Sequence, residues 1–466
     1  MNPTHSLRTA LAGFVLAAAV VCVPAATPAS ALPSDVQPID WTQLGSYPAG
    51  DPAGVRTKQI LQNSARYLIG PKYAATYTAY AADGYLNLGG TDEAAVRYPA
   101  MTALTVATAL KLNVYDPRNL SAANATIREM NLIRTIAARH KANNTNPATA
   151  WGHGWQTALW TYYDGLAAWL MWDQLSGTDQ AKVEAMIVDE ADRLTTGNDV
   201  YLVGTGGDQL YMTRRDGSVV TPGDSKAEED GWNAGLLGLA GAMMPQHPHA
   251  AAWTTRNDQL LLAASARPAD LTSNTPINGI VPATWLKGTN IANDGTLVNH
   301  GIIHPLYMLA FDQSLHQGMT SGLAGACGPV VAKHNVEVVY DALVDKGFTK
   351  TDGTTTTIYQ PGSANIYYPQ GNDWGTQFPA YFGAFDLVVS LDGQDTLAST
   401  SASTWEALHD NAEIALQNRF TDGHTYAGSA ENSYGGAEQR IGSLAAQSFL
   451  NLYLVRNATG SKVCWS

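Results

Sequence analysis

The chain has 466 residues, with 27 Lys and Arg against 40 Asp and Glu, and a formal net charge of -13 at pH 7. That balance excludes broad binding to nucleic acid or to anionic membranes. It leaves room for an acidic ligand in a cleft, where nearby cations outweigh a distant surface field.

Residues 1–31 read as a secretory signal. Arg8 is followed by an apolar run over 11–23 and by Ala29-Ser30-Ala31, a small-x-small cleavage site. The run is too short to span a bilayer, and Cys22 is not preceded by the small residue a lipoprotein signal needs. No Pro/Ser-rich linker divides the remainder, so 32–466 is expected to be a single domain of an exported, monomeric protein. Only Cys327 and Cys464 remain in it. In an oxidising compartment one bridge from the C-terminal tail to the body is expected, and no CxxC pair signals a metal.

Apolar residues recur at helical spacing over 57–69, 93–112, 123–140, 156–175, 180–194 and 226–244. The pattern continues over 249–266, 305–314, 330–346, 378–391, 404–419 and 439–454. Strand-like runs are few; 199–203, 209–213 and 354–359 suit short hairpins in loops. Helices paired across short connections, without the fixed internal repeat of a solenoid, predict an all-α fold. The expected architecture is an (α/α) toroid or incomplete barrel of six or seven helical hairpins, its polar loops gathered on one rim.

Those loops, in chain order, hold the candidate site residues. Trp151-Gly152-His153-Gly154-Trp155-Gln156 places Trp151, His153 and Trp155 as a sugar platform. In Asp224-Ser225-Lys226-Ala227-Glu228-Glu229-Asp230-Gly231-Trp232-Asn233, Asp224 or Ser225 suits an N-cap and Glu228 the matching capping-box position. Glu229 and Asn233, four apart, are left to face a ligand. His247-Pro248-His249 is better explained as a helix entry than as a metal pair.

The densest stretch is Asn293-Asp294-Gly295-Thr296-Leu297-Val298-Asn299-His300-Gly301-Ile302-Ile303-His304-Pro305-Leu306-Tyr307. Pro305 fits a first helical turn, which puts Asn299 and His300 in the loop leading in and Tyr307 just inside. Tyr367-Tyr368-Pro369-Gln370-Gly371-Asn372-Asp373-Trp374 adds Asp373 and Trp374. The region from Asp422 to Tyr426 and on to Arg440 adds a guanidinium suited to a carboxylate. There is no HExxH, GxSxG or P-loop.

Asp294-Gly295-Thr296-Leu297-Val298-Asn299-His300, with Tyr307 seven residues on, resembles the Asp-Gly-Ser-Phe-x-x-His…Tyr segment of the α/α-toroid polysaccharide lyases of hyaluronate, chondroitin and xanthan. The absence of a large β-sandwich is closer to the shorter toroid lyases of alginate or glucuronan. The His-to-Tyr spacing is shorter here, and His304-Pro305 interrupts it. The resemblance implies metal-independent, cofactor-free β-elimination at a uronic acid of an acidic polysaccharide. His300, or Tyr307 as a phenolate, would take the C5 proton, and Tyr307 or His304 would protonate the leaving oxygen. Asn233, Asn299 or Arg440 would neutralise the substrate carboxylate. Two other readings compete. One is an inverting glycoside hydrolase on the same toroid, using Glu229 or Asp230 with Asp373. The other is a non-catalytic carbohydrate-binding protein.

Overall fold

Twelve helices of nine residues or more carry the fold among the described residues. They are α1 (Pro52–Tyr67), α2 (Glu93–Lys111), α3 (Ala122–Arg139), α4 (Thr157–Leu170), α5 (Gly177–Thr195) and α6 (Ala227–Met243). The second half of the chain supplies α7 (Ala250–Ala264), α8 (Phe311–Leu323), α9 (Val336–Val344), α10 (Pro379–Asp392), α11 (Ala402–Gln417) and α12 (Ala437–Val455). The computed structural model describes residues 34–48, 50–195, 209–375 and 378–466. The expected signal over 1–31 and strand over 199–203 lie outside them.

The even-numbered helices form a closed inner ring: α2 packs on α4, α4 on α6, α6 on α8, α8 on α10, α10 on α12, and α12 back on α2. The odd-numbered helices wrap it, giving an (α/α) toroid of six hairpins. Sequence sets the layer. In α4 every position is buried, as required of a helix with neighbours on all sides. Outer α5 buries only Val183, Met186, Ile187, Glu190, Ala191 and Leu194, a single stripe at helical spacing. Gly238 lets inner helices meet, because a Cβ there would lie 2.0 Å from Gln317 Oε1 of α8. The Gln317 amide instead donates to Ala234 O at 3.0 Å and Asn257 Oδ1 at 3.2 Å.

The ring is shut by its ends. Helix α1 packs on α11 and α12, with Arg56 paired to Glu406 and Asn63 donating to Gln417 at 3.0 Å. Asp51 caps α1 through Gly54 N and pairs with Arg456 just past α12. The tail is fixed by the Cys327–Cys464 disulfide, Cα to Cα 4.6 Å, as expected from the cysteine count. Removing it by Cys327→Ser with Cys464→Ser should cost about 2–4 kcal/mol by freeing a long loop in the unfolded chain. A calorimetric melt unchanged from wild type would refute this.

Two helices differ from the sequence expectation. The helix expected over 305–314 is one turn, Pro305–Met308, followed by a break and then α8. The helix expected over 330–346 is split by Asn335, whose left-handed φ of 58° cannot continue an α-helix. The run at 209–213 does fold back locally, Val220 N donating to Met212 O and Thr213 bridging Val219 antiparallel, and Thr213 and Arg214 also pair antiparallel with Thr289 and Gly288. The expected loop hairpin near 354–359 is present, Thr355–Thr356 pairing with Phe348–Thr349. Among the described residues no helix is long and apolar enough to cross a membrane.

Candidate functional site

The loop between α7 and α8 builds one half of the site. Val298–Asn299 pairs with Ile302–Ile303 across a two-residue turn, His300-Gly301, with φ of 51° and 80°. Positive φ at both central residues marks the tight hairpin turn whose twist matches its strands. Glycine takes this conformation freely, whereas an imidazole residue is strained there, so the surroundings hold His300 in place. Those surroundings are the loop before α6. Gly301 N donates to Gly223 O at 2.8 Å, and a Cβ on Gly223 would lie 2.7 Å from Gly301 Cα. Buried Asn290 fastens the same loop, accepting from Met212 N and Lys226 N and donating to Leu210 O and Ala263 O.

From this hairpin and the turn after it, two imidazoles converge on Asp373 of the 367–375 loop, and Tyr307 backs one of them. His300 Nδ1 lies 2.6 Å from Asp373 Oδ2, and His304 Nε2 lies 2.9 Å from Asp373 Oδ1. Tyr307 Oη is 2.9 Å from His300 Nε2. Burial, with Glu228, Tyr434 and Asp373 nearby, pushes the Tyr307 phenol well above its ordinary value. The phenol therefore keeps its proton and donates to His300 Nε2, leaving His300 Nδ1–H to donate to Asp373. Burial raises the Asp373 carboxyl, but the two imidazoles outweigh it and hold the acid below its ordinary value, hence ionised. Burial lowers His304, whose Nδ1 has no partner. Trp374 packs on Tyr307, His304 and Tyr434 with centroids 4.7, 5.7 and 4.9 Å apart. Asp373 and His300 both remain about half open to solvent.

The first turn of α6 supplies the other half. Glu228 is pushed up to about 8, burial outweighing the pull of Arg440 and Arg97. It is close enough to Tyr307 to act on the phenol. Arg440, on α12, donates to Tyr163 Oη at 2.5 Å and lies over the Tyr381 ring at 4.6 Å. Arg97, on α2, pairs with Glu93, donates to Gln156 Oε1 at 3.3 Å and lies over the Tyr434 ring at 5.5 Å. Asp312 on α8 is also raised by burial, to about 7. Two guanidiniums thus lie among carboxyls that burial raises, Glu228 and Asp312, with Glu93 the ion-pair partner of Arg97.

The sequence candidates divide accordingly. His300, His304, Tyr307, Asp373 and Trp374 meet in one place. Arg440 lies on the floor beneath. Trp155 is exposed, donates its indole N–H to Glu229 Oε1 at 2.7 Å and packs edge-on to Trp232, so it borders the Glu229 side. Glu229 is also held by Lys226. Asn233 lies buried one turn further along α6. Asn299 Oδ1 accepts from His300 N at 2.8 Å, which ties its amide to the turn. Trp151 is buried, bonding Ile136 O and packing on His140. His153 faces solvent against Asp189. Asp230 is fully buried, which removes it as the partner expected for Asp373 in a carboxylate pair. His247 stacks on Trp253 and His249 pairs with Asp192, in keeping with a helix entry.

Two participants escape a sequence reading. Glu228 looks like a capping residue, yet Ser225 Oγ serves Ala227 N instead, leaving the Glu228 carboxyl for the interior. Arg97 sits in a helix that is otherwise nearly all apolar or small, and a charge in that setting was the available signal.

No family model matches the chain, and no curated protein does. Among solved structures the chain is similar to an α-1,6-mannanase, GH76A, of Salegentibacter sp. HEL1_6. An inactive variant of it holding α-1,6-mannotetrose matches with TM-score 0.41 and 13% identity, over 86% of this chain and 100% of that one. The unliganded mannanase matches with TM-score 0.39 and 13% identity, over 86% and 99%. These neighbours are glycoside hydrolases, so the expectation of a polysaccharide lyase on alginate or glucuronan finds no match among them, and the likeness itself extends to the fold alone. One of the roles expected for elimination also changes. The Tyr307 phenol is raised rather than lowered, against its expected role as a phenolate base.

Proposed function

We propose that the chain is an exported glycoside hydrolase of the inverting type, acting on an acidic polysaccharide. The observation that carries this reading is a pair of carboxyls near Tyr307 with opposed protonation. Glu228 is kept protonated by burial, and Asp373 is kept ionised by two imidazoles. Groups whose surroundings push them apart in this way are suited to the acid and base roles of glycoside cleavage.

Asp373 takes a proton from a water that attacks the anomeric carbon. As the glycosidic C–O bond breaks, Glu228 gives its proton to the leaving oxygen. Glu228 ends as the carboxylate and Asp373 as the acid, and exchange with solvent resets both. His300 and His304 hold Asp373, and Tyr307 fixes the His300 tautomer. Trp155 and Trp374 offer ring faces to sugars. Arg97 and Arg440 favour a sugar that carries a carboxylate or sulfate.

The test is incubation with a panel of neutral and acidic polysaccharides, reading reducing ends, absorbance near 235 nm and, by NMR, the anomer first released. Reducing ends of inverted configuration without the absorbance of an unsaturated uronate support the reading. Rising absorbance, retained configuration, or binding without cleavage would each overturn it.

A further inference from the structure

We infer that His300, His304 and Asp373 form a binding site for a divalent transition metal, zinc by the chemistry of the donors, and that filling it silences the hydrolytic base. Among the described residues this is the group of three whose donor atoms all lie within 4.8 Å of one another. The donors come from two separate loops yet meet at a point, with the two oxygens of one carboxylate divided between two imidazoles at 2.6 and 2.9 Å. His304 is wholly buried and its far nitrogen Nδ1 has no partner. His300 is held in strained left-handed backbone, which aims its Nδ1 at the same carboxylate.

Two nitrogens and one carboxylate oxygen suit zinc and its neighbours in the first transition row. They do not suit calcium or magnesium, which take oxygen donors. Three protein ligands leave a fourth position, and the half-open His300 and Asp373 let water reach it. Binding needs both imidazoles to present a bare nitrogen. His300 then carries its proton on Nε2 and donates to Tyr307 Oη, reversing the hydrogen bond of the metal-free site. Asp373 cannot hold a dication and accept a proton from water with the same electron pair. Metal loading and hydrolysis are therefore mutually exclusive at this carboxylate, which is why the inference rests on the hydrolase reading for its consequence but not for the site itself.

The experiment uses chelator-treated full-length protein titrated with cobalt(II) chloride, followed by visible absorption. Occupancy gives the intense bands of a low-coordinate ion, saturating at about one equivalent per chain. His300→Ala, at a half-exposed position, and Asp373→Ala lose the bands, while Tyr307→Phe, which touches only the far nitrogen of His300, keeps them. Zinc displaces the cobalt and raises the melting temperature of wild type but of neither metal-site variant. The pale spectrum of hydrated cobalt at equimolar protein overturns the site, and so do bands that survive in both variants. No arm of this titration needs turnover. A metal-free protein that cleaves nothing overturns the hydrolase reading alone, and a cleaving protein indifferent to added zinc overturns the inhibition.

Discussion

Glu228→Gln is expected to lower kcat by about 10²–10⁴ with little change in KM, since it removes the transferable proton and keeps the shape. The side chain is deep in the site but not sealed, so the amide can hold its place without collapse. Two further signatures separate loss of an acid from loss of a contact. Wild-type activity should fall as pH rises through about 8, where Glu228 gives up its proton. The variant's residual activity should lack that limb, and substrates whose leaving group needs no proton should restore much of the rate.

The same group bears on stability, and the sign is fixed by its direction. Its folded value lies above the ordinary 4.5, so its contribution is complete below that pH and is lost as pH rises through about 8. Melting temperature should therefore decline across this window, and less steeply in Glu228→Gln. A slope identical in the two proteins would contradict the assignment.

Asp373→Asn should depress turnover about as far, by roughly 10²–10⁴, through loss of the base. The geometry adds a second consequence. Asp373 accepts from both imidazoles, and an amide can accept on only one of its two terminal atoms. One imidazole then meets an amide N–H instead of an acceptor and must change tautomer or turn in the variant. Proton NMR of the imidazole and phenol resonances should show that change, whereas Glu228→Gln should leave them as in wild type. An Asp373→Asn protein with normal kcat would remove the carboxylate pair from the mechanism.

Much of the architecture is legible in the sequence. The period of the apolar residues marks eleven of the twelve long helices and only the first turn of α8, because inner and outer helices differ in how much of their circumference is apolar but share the spacing. What periodicity cannot see is a residue that leaves the helix without an obvious breaker. Asn335 in left-handed backbone is one such case, and the break between Pro305–Met308 and Phe311 is another. Pro305 itself is legible, since its missing N–H belongs at a first turn, and it places Tyr307 correctly beside the histidines.

The site is half legible. Imidazoles, phenol and Asp373 stand out by type, and their convergence needs only the loops to meet. Glu228 is hidden behind a sufficient local explanation. Acidic residues at a helix start are usually satisfied by backbone N–H groups, and only the ring shows that this start points inward. The lyase expectation failed for a related reason. A motif of amide, imidazole and phenol specifies which groups are close, but burial and neighbouring charge decide which of them can hold or lose a proton.

The way the ring is shut has a consequence for how the chain comes into being. Helix α1 finds its main packing partners in α11 and α12, which are the last helices to be made. A chain synthesised from its N-terminus thus carries its first helix for nearly the whole of translation without the surface meant to cover it. Until α12 arrives, α2 too lacks one of its two inner neighbours, and the growing arc has two apolar edges. Contacts between such distant segments bear the full entropy of closing the loop and form late. Folding here is committed near its last step, and nascent chains halted before α11 should engage chaperones as open arcs rather than as smaller finished domains.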